Sequence, residues 1–235
     1  MIETTVEHIV WDWNGTLFGD SNALIEATID AFRACGMPAV TRADYQRHHT
    51  QPIPAFYERL AGRPLTDPEQ RRLDQCFRAA YARHRAVVTL TADAIAALTR
   101  WAATGRRQSL LSMYPHGELM PLVHTAGIAS FFARIDGTTD HDVARKAPHL
   151  ARHLQRQSLP PARVLLVGDS VDDVRAAREC GVNCLVYHPG ADALHARDHF
   201  ADLGVPLVAT LQAAVEYAHS GRSGNSIPDV TPDRG

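Results

Sequence analysis

The segment from Val6 to Trp11 is a short, largely apolar run that ends in Asp12-Trp13-Asn14-Gly15-Thr16. Such a run, closed by a polar turn with a glycine, predicts a buried strand that delivers a carboxylate at its end. From Asp20 to about Arg85 the period lengthens. Leu24, Ile25, Ile29 and Phe32 recur near every 3.6 residues, and Gly36-Met37-Pro38 closes that helix. Thr41-Arg42-Ala43-Asp44 reads as a helix start, with aspartate where a capping box usually has Glu or Gln. Phe56, Tyr57 and Leu60 mark a third helix ending at Gly62, and Thr66-Asp67-Pro68-Glu69 opens a long fourth.

Beyond Thr91 the pattern alternates. A helix runs to about Ala103, a strand from Gln108 to Ser112, a helix through Val123 and a short strand near Ala133 to Asp136. A helix around Pro148 to Gln157 follows, then the strand Val164 to Val167, a helix from Val171 to Cys180 closed by Gly181, the strand Cys184 to Tyr187, and a last strand and helix within Pro206 to Ala218. Strands that alternate with helices of this length imply crossover connections and a parallel sheet. The expected fold is therefore α/β, a Rossmann-like parallel-sheet core formed by residues 1–18 and 91–219 with an α-helical cap, residues 19–90, inserted after the first strand. The Gly, Ser, Pro and Asp-rich stretch 220–235 is expected to be a mobile tail.

Composition narrows the function classes. With 24 basic against 26 acidic side chains the formal net charge is −2, so no overall basic field favours nucleic acid or an anionic membrane. The four cysteines form no paired Cys-x-x-Cys sets, which argues against a zinc ribbon or a disulfide framework. Cys180 and Cys184 read as buried structural thiols. No stretch is apolar enough for a membrane span and no signal peptide is predicted, so a cytoplasmic setting is expected. The pairs His149/His153 and His195/His199 have the spacing of ligands on one helix face, but no third ligand accompanies them, and they read as surface histidines.

Ligands of open parallel sheets sit beyond the carboxyl ends of the strands, near the point where strand order reverses. Polar residues at predicted strand ends are thus the candidates. Asp12 follows the first strand, Ser112 ends the second, Lys146 stands just before a helix, and Gly168-Asp169-Ser170-Val171-Asp172-Asp173 follows the strand at 164–167. Hard oxygen ligands for a divalent cation, together with a hydroxyl and an ammonium, describe a site for Mg²⁺ and a phosphate. Lys146 is the chain's single lysine. A compact ammonium fits between two oxygen anions where a planar guanidinium does not.

These four motifs, in this order, resemble those of the haloacid dehalogenase-like hydrolases, in the phosphoglycolate-phosphatase-like branch with a small helical cap. The resemblance implies that Asp12 is the nucleophile, forming an aspartyl phosphate. By the same resemblance Thr16 orients Asp12, Ser112 hydrogen-bonds the phosphoryl oxygens, and Lys146 bridges nucleophile and phosphate. Asp169, with Asp12 and the backbone carbonyl of Asn14, would bind Mg²⁺, and Asp173 would hold metal-bound water. Asp172 reads as a helix-start acid rather than a ligand. A small phosphorylated metabolite is the implied partner, with the protein a monomer or homodimer. The cap segment containing His48 and His49 is expected to touch the leaving group.

One position departs from the pattern. Phosphatases of this family usually carry a second aspartate two residues after the nucleophile, as the acid and base for the leaving group, and here Asn14 stands there. An amide donates a hydrogen bond but cannot shuttle a proton, and general acid–base catalysis contributes about 10²–10⁴-fold. Slow turnover on alkyl phosphates is therefore expected, with acyl and aryl phosphates favoured, or with His48, His49 or His116 supplying the proton. The alternative reading is a non-catalytic or regulatory protein that binds a phosphoryl ligand. Dehalogenases typically lack the Gly-Asp-x-x-x-Asp motif, and the phosphonoacetaldehyde hydrolase branch needs a cap lysine that residues 1–145 do not contain.

Overall fold

The computed structural model describes residues 5–139 and 145–220. A six-stranded sheet runs in the order β3-β2-β1-β4-β5-β6, and every pairing in it is parallel. The strands are β1 (His8–Trp11), β2 (Arg107–Pro115), β3 (Ile135–Thr138), β4 (Val164–Gly168), β5 (Asn183–Tyr187) and β6 (Leu207–Val208). Successive side chains point to opposite faces of a strand, so a strand covered on both sides must be apolar throughout. Ile9, Trp11, Leu165 and Val167 enter one hydrophobic cluster with α5 (Ala94–Ala102), α6 (His116–Thr125) and α9 (Leu211–His219). Val10, Val164 and Leu166 enter another with α7 (Ala147–Arg156) and α8 (Val171–Cys180). The result is a three-layer α/β/α core.

Between β1 and α5 lie four helices, α1 (Ser21–Ala34), α2 (Arg42–His48), α3 (Ile53–Ala61) and α4 (Asp67–Arg85). They share their own apolar cluster, built on Ile25, Phe32, Tyr45, Phe56, Tyr57 and Leu73, to which Leu194 is added from the loop after β5. The chain leaves and re-enters the core at adjacent points. Phe18 and Leu90 form an antiparallel bridge, and the Gly19 N–H donates to the Thr89 carbonyl at 3.0 Å. Capping explains why the helices begin where they do: Thr41 with Asp44, and Thr66 with Glu69, each make the reciprocal bonds of a capping box. Aspartate thus serves at Thr41 as well as glutamate does at Thr66.

Some expectations shift. The second strand continues past Ser112 to Pro115, because an irregularity in its pairing with β3 lets it follow the edge further, and β3 begins two residues later than its apolar pattern suggests. His149, His153 and His195 are buried, not surface residues: the first two lie on the inward face of α7, and His195, in the loop after β5, turns in against His49. Cys180 and Cys184 are half-buried. The expected mobile tail lies outside the described residues from 221 onward. Among the described residues no helix is long and apolar enough to cross a membrane.

Leu98 of α5 is fully buried against the sheet, whereas Val87 is 85% exposed. Leu98→Ala is expected to cost about 2–5 kcal/mol in urea unfolding, and Val87→Ala no more than about 0.5 kcal/mol.

Candidate active site

The strand order reverses between β1 and β4: β2 and β3 extend the sheet on one side of β1, and β4 to β6 on the other. Asp12 stands one residue beyond β1, and Asp169 one beyond β4. Two carboxylates therefore meet at the crevice where ligands of such sheets bind. Lys146, the residue capping the start of α7, reaches the same place. Its Nζ donates to Asp12 Oδ1 and to Asp173 Oδ1. The Lys146 backbone N–H donates to Asp172 Oδ2 at 3.0 Å, so Asp172 sets the start of α7. The other oxygen of Asp173 accepts from the Ser170 N–H at 3.0 Å and hydroxyl at 2.5 Å, which closes the capping box of α8. Asp173 is thereby fixed from two sides.

Electrostatics here are dominated by burial. It pushes the Asp12 carboxyl up to about 7, with the Asp173 charge adding to it and Lys146 pulling the other way. Asp169 is also raised well above the usual carboxylate range, by burial and by the charges of Asp12 and Asp173. Lys146 is buried as well, yet the two carboxylates on it outweigh that cost and keep the ammonium charged. Three acids share one fixed cation.

Mg²⁺ fits this donor set. Carboxylate oxygens of Asp12, Asp169 and Asp173 lie within 4.8 Å of one another, and Asp169 Oδ2 is a buried oxygen with no hydrogen-bond partner. An unpartnered buried carboxylate oxygen is costly, and a hard divalent cation satisfies it. Two glycines make the acids' approach possible. A Cβ at Gly15, whose φ is +71°, would sit 2.2 Å from Asp169 Oδ2, and one at Gly168 would sit 2.3 Å from Asp173 Cγ. Thr16 and Ser112 are both buried here. The Thr16 hydroxyl has no hydrogen-bond partner among the described residues, and Ser112 Oγ accepts from the Tyr114 N–H at 3.0 Å.

Asn14 has partners that its sequence context did not reveal. Its amide Nδ2 donates to Asp20 Oδ2 at 2.7 Å and to the Tyr81 hydroxyl at 3.3 Å. Tyr81, from α4, donates in turn to Asp20 Oδ2 at 2.6 Å, and the Gly15 N–H donates to Asp20 Oδ1 at 2.8 Å. Burial raises the Asp20 carboxyl, against the hydrogen bonds from Tyr81, Asn14 and Gly15. Asp20 precedes α1 and so reads as a helix-start acid, but its side chain turns back to the loop after β1 instead of capping α1. The histidines considered as proton donors lie among other partners. His49 Nδ1 is 3.1 Å from His195 Nε2 and its ring stacks on Tyr45, while His116 Nδ1 accepts from the Gly137 N–H at 3.2 Å. His48, at the end of α2, is half-buried.

A parallel sheet whose reversal point gathers an acid cluster and one buried ammonium has the donor set that suits a divalent cation and an anionic ligand. A family model for haloacid dehalogenase-like hydrolases matches residues 6–181, and the chain belongs to that family. The phosphoglycolate phosphatase of Yersinia pseudotuberculosis serotype I (strain IP32953) is 28% identical over 221 residues, 86% of this chain and 94% of that one. That of Rhodobacter capsulatus is 22% identical over 185 residues, 77% and 84% of the two chains. In fold, a haloacid dehalogenase-like family hydrolase from Streptococcus pneumoniae superposes with a TM-score of 0.76 at 19% identity, over 92% of this chain and 99% of its own. Within the family, the chain stands with the phosphatases.

Asn14→Asp would set a second carboxylate against Asp20, where an amide now donates at 2.7 Å. Both carboxyls would then have folded-state pKa values above their unfolded ones, so stability falls as pH rises through that interval. The variant's melting temperature is expected to drop below the native value by more at about pH 8 than at about pH 5. An equal drop at both would show that the Asn14–Asp20 contact carries no such weight.

Proposed function

We propose that the protein is a Mg²⁺-dependent phosphoric monoester hydrolase that acts on a small phosphorylated metabolite through an aspartyl phosphate on Asp12. The observation that carries this reading is the Lys146 ammonium held between Asp12 and Asp173, with Asp169 and its unpartnered oxygen beside them. Asp12, Asp169 and the Asn14 backbone carbonyl would hold the cation, with Asp173 acting through its water. When bound, Mg²⁺ supplies the positive charge that lets a carboxylate approach a phosphate dianion.

The chain's own residues perform the rest. A carboxylate oxygen of Asp12 forms a bond to phosphorus as the bond to the leaving oxygen breaks, and that oxygen departs with the electron pair. Lys146 neutralises charge on nucleophile and phosphoryl group together, and its fixed position means that little reorganises during the step. The Thr16 and Ser112 hydroxyls donate to phosphoryl oxygens. Water then attacks phosphorus, releasing phosphate and restoring Asp12. The helical insertion acts as a cap that excludes bulk water from this edge.

Asn14 sets the substrate preference. Its amide nitrogen donates to Asp20 and to the Tyr81 hydroxyl, and an amide has no proton to give up to a departing oxygen. Esters whose leaving groups depart unprotonated, the acyl and aryl phosphates, are thus favoured over alkyl phosphates. The phosphoglycolate phosphatases among the relatives support a small acidic phosphate as the class to which the physiological substrate belongs.

With p-nitrophenyl phosphate and Mg²⁺ the native protein is expected to turn over, Asp12→Asn and EDTA-treated protein to be inactive, and Lys146→Met to fall by at least about 10²-fold. Alkyl phosphates should react more slowly than aryl phosphates by about 10²–10⁴-fold. Activity surviving in Asp12→Asn would overturn the nucleophile assignment. Binding of phosphate with Mg²⁺ but no turnover of any ester would turn the site into a non-catalytic phosphoryl receptor.

A further inference from the structure

The edge strand β3 and helix α7 enclose a pocket of about 490 Å³ whose walls contain none of the residues assigned to the acid cluster. Arg134, Arg152 and Arg156 line it, and Asp136 is the one carboxylate among the described lining residues. That carboxylate is already committed. Its Oδ2 accepts from Arg134 Nε at 2.5 Å and lies 2.7 Å from His153 Nδ1, and Arg156 Nη1 stands 3.7 Å from Oδ1. Burial works against the ionised form, but His153 and Arg134 together hold Asp136 well below the usual carboxylate range. With Asp136 counted, the described wall keeps a surplus of two guanidinium charges.

The wall is also braced from within the sheet. His153 Nε2 lies 2.7 Å from Ser109 Oγ, which lies 2.8 Å from His8 Nε2. Serine, histidine and aspartate here have the connectivity of a hydrolytic triad, but Ser109 is fully buried within β2 and no substrate reaches its hydroxyl. The chain of bonds instead fixes His153, and through it Asp136 and the arginine seated on Asp136. Arg152 is placed by His149, whose Nδ1 lies 3.1 Å from Arg152 Nη2. Guanidinium groups held in this way lose little freedom when they take up an anion, and their forked donors match phosphoryl oxygens two at a time.

We infer that this pocket is an anion site, separate from the acid cluster, that binds a compact phosphorylated metabolite carrying at least two negative charges. Its volume lies in the range of small-molecule sites and exceeds what a single phosphate fills. Its lining is more polar than apolar, with arginine and histidine prominent in it, which suits a small polar ligand. The inference stands apart from the catalytic reading, since it requires only binding.

Only the acid cluster responds to metal, and this makes the test clean. Without Mg²⁺ the acid cluster has three carboxyl groups against Lys146 and offers an anion no net positive charge, whereas the pocket's arginines are unaffected. Isothermal titration of metal-free full-length protein with inorganic pyrophosphate is expected to show one saturable site whose affinity weakens with added salt. Arg152→Glu with Arg156→Glu should raise the Kd at least about tenfold, a loss of about 1.4 kcal/mol or more. Arg152→Gln alone should weaken binding less, and Asp12→Asn should leave it unchanged. Near-ultraviolet circular dichroism identifies any variant that has lost its fold, and Arg152→Gln then carries the comparison. Absence of saturable binding below about 1 mM, binding unaltered by the arginine changes, or binding lost with Asp12→Asn would each overturn the site.

Discussion

One buried ammonium organises the functional edge of this protein. Asp12, Asp169 and Asp173 converge because β1 and β4 are neighbours and α8 starts directly after β4, and their mutual repulsion in a dry setting opposes that convergence. Lys146 offsets it by bonding two of the three at once. The helix that presents Lys146 is itself positioned by Asp172, which belongs to the same stretch of chain as Asp169 and Asp173. Asp169, Asp173 and their counter-charge are thus placed by a common piece of backbone, and Asp12 is added by the neighbouring strand. What remains, an unpartnered oxygen on Asp169 and three acids against one ammonium, is an electrostatic demand that a divalent cation would meet.

A fourth buried acid ties the helical insertion to this edge. Asp20 accepts from Asn14 and Gly15 in the loop after β1 and from Tyr81 in α4, so the insertion's long helix and the loop that carries Asp12 share one carboxylate. On the far side, α2 meets the loop after β5. Gln46 Nε2 donates to the Ala193 carbonyl at 2.7 Å, the Ala196 N–H donates to the Gln46 carbonyl at 3.0 Å, and His49 meets His195. Contacts of this kind are polar and directional, unlike the apolar clusters inside each part. They set orientation at modest energetic weight, because each hydrogen bond formed replaces one to water.

The sheet was legible in the chain because its strands are short apolar runs alternating with helices, and the strand-end carboxylates were legible because polar residues there have no structural need to be acidic. Lys146 stood out through the rarity of lysine in an arginine-rich chain. Asp20 did not stand out, since an acid before a helix has an ordinary electrostatic explanation and its backward turn depends on Tyr81, distant in sequence. The buried histidines were missed for a related reason. His153 faces inward because Ser109 and Asp136, from two different strands, supply its partners, and no local pattern announces such a meeting. Long-range polar pairing leaves no periodic trace.

The bridge between Phe18 and Leu90 has a further consequence. Because the chain departs from the core and returns to it at neighbouring backbone positions, the some seventy residues between them impose almost no geometric condition on the sheet. The parallel core could accept a shorter, longer or differently folded excursion at that point without changing a single strand register. The joint is in this sense a socket, and it separates the part of the protein free to diversify in evolution from the part whose chemistry holds it still.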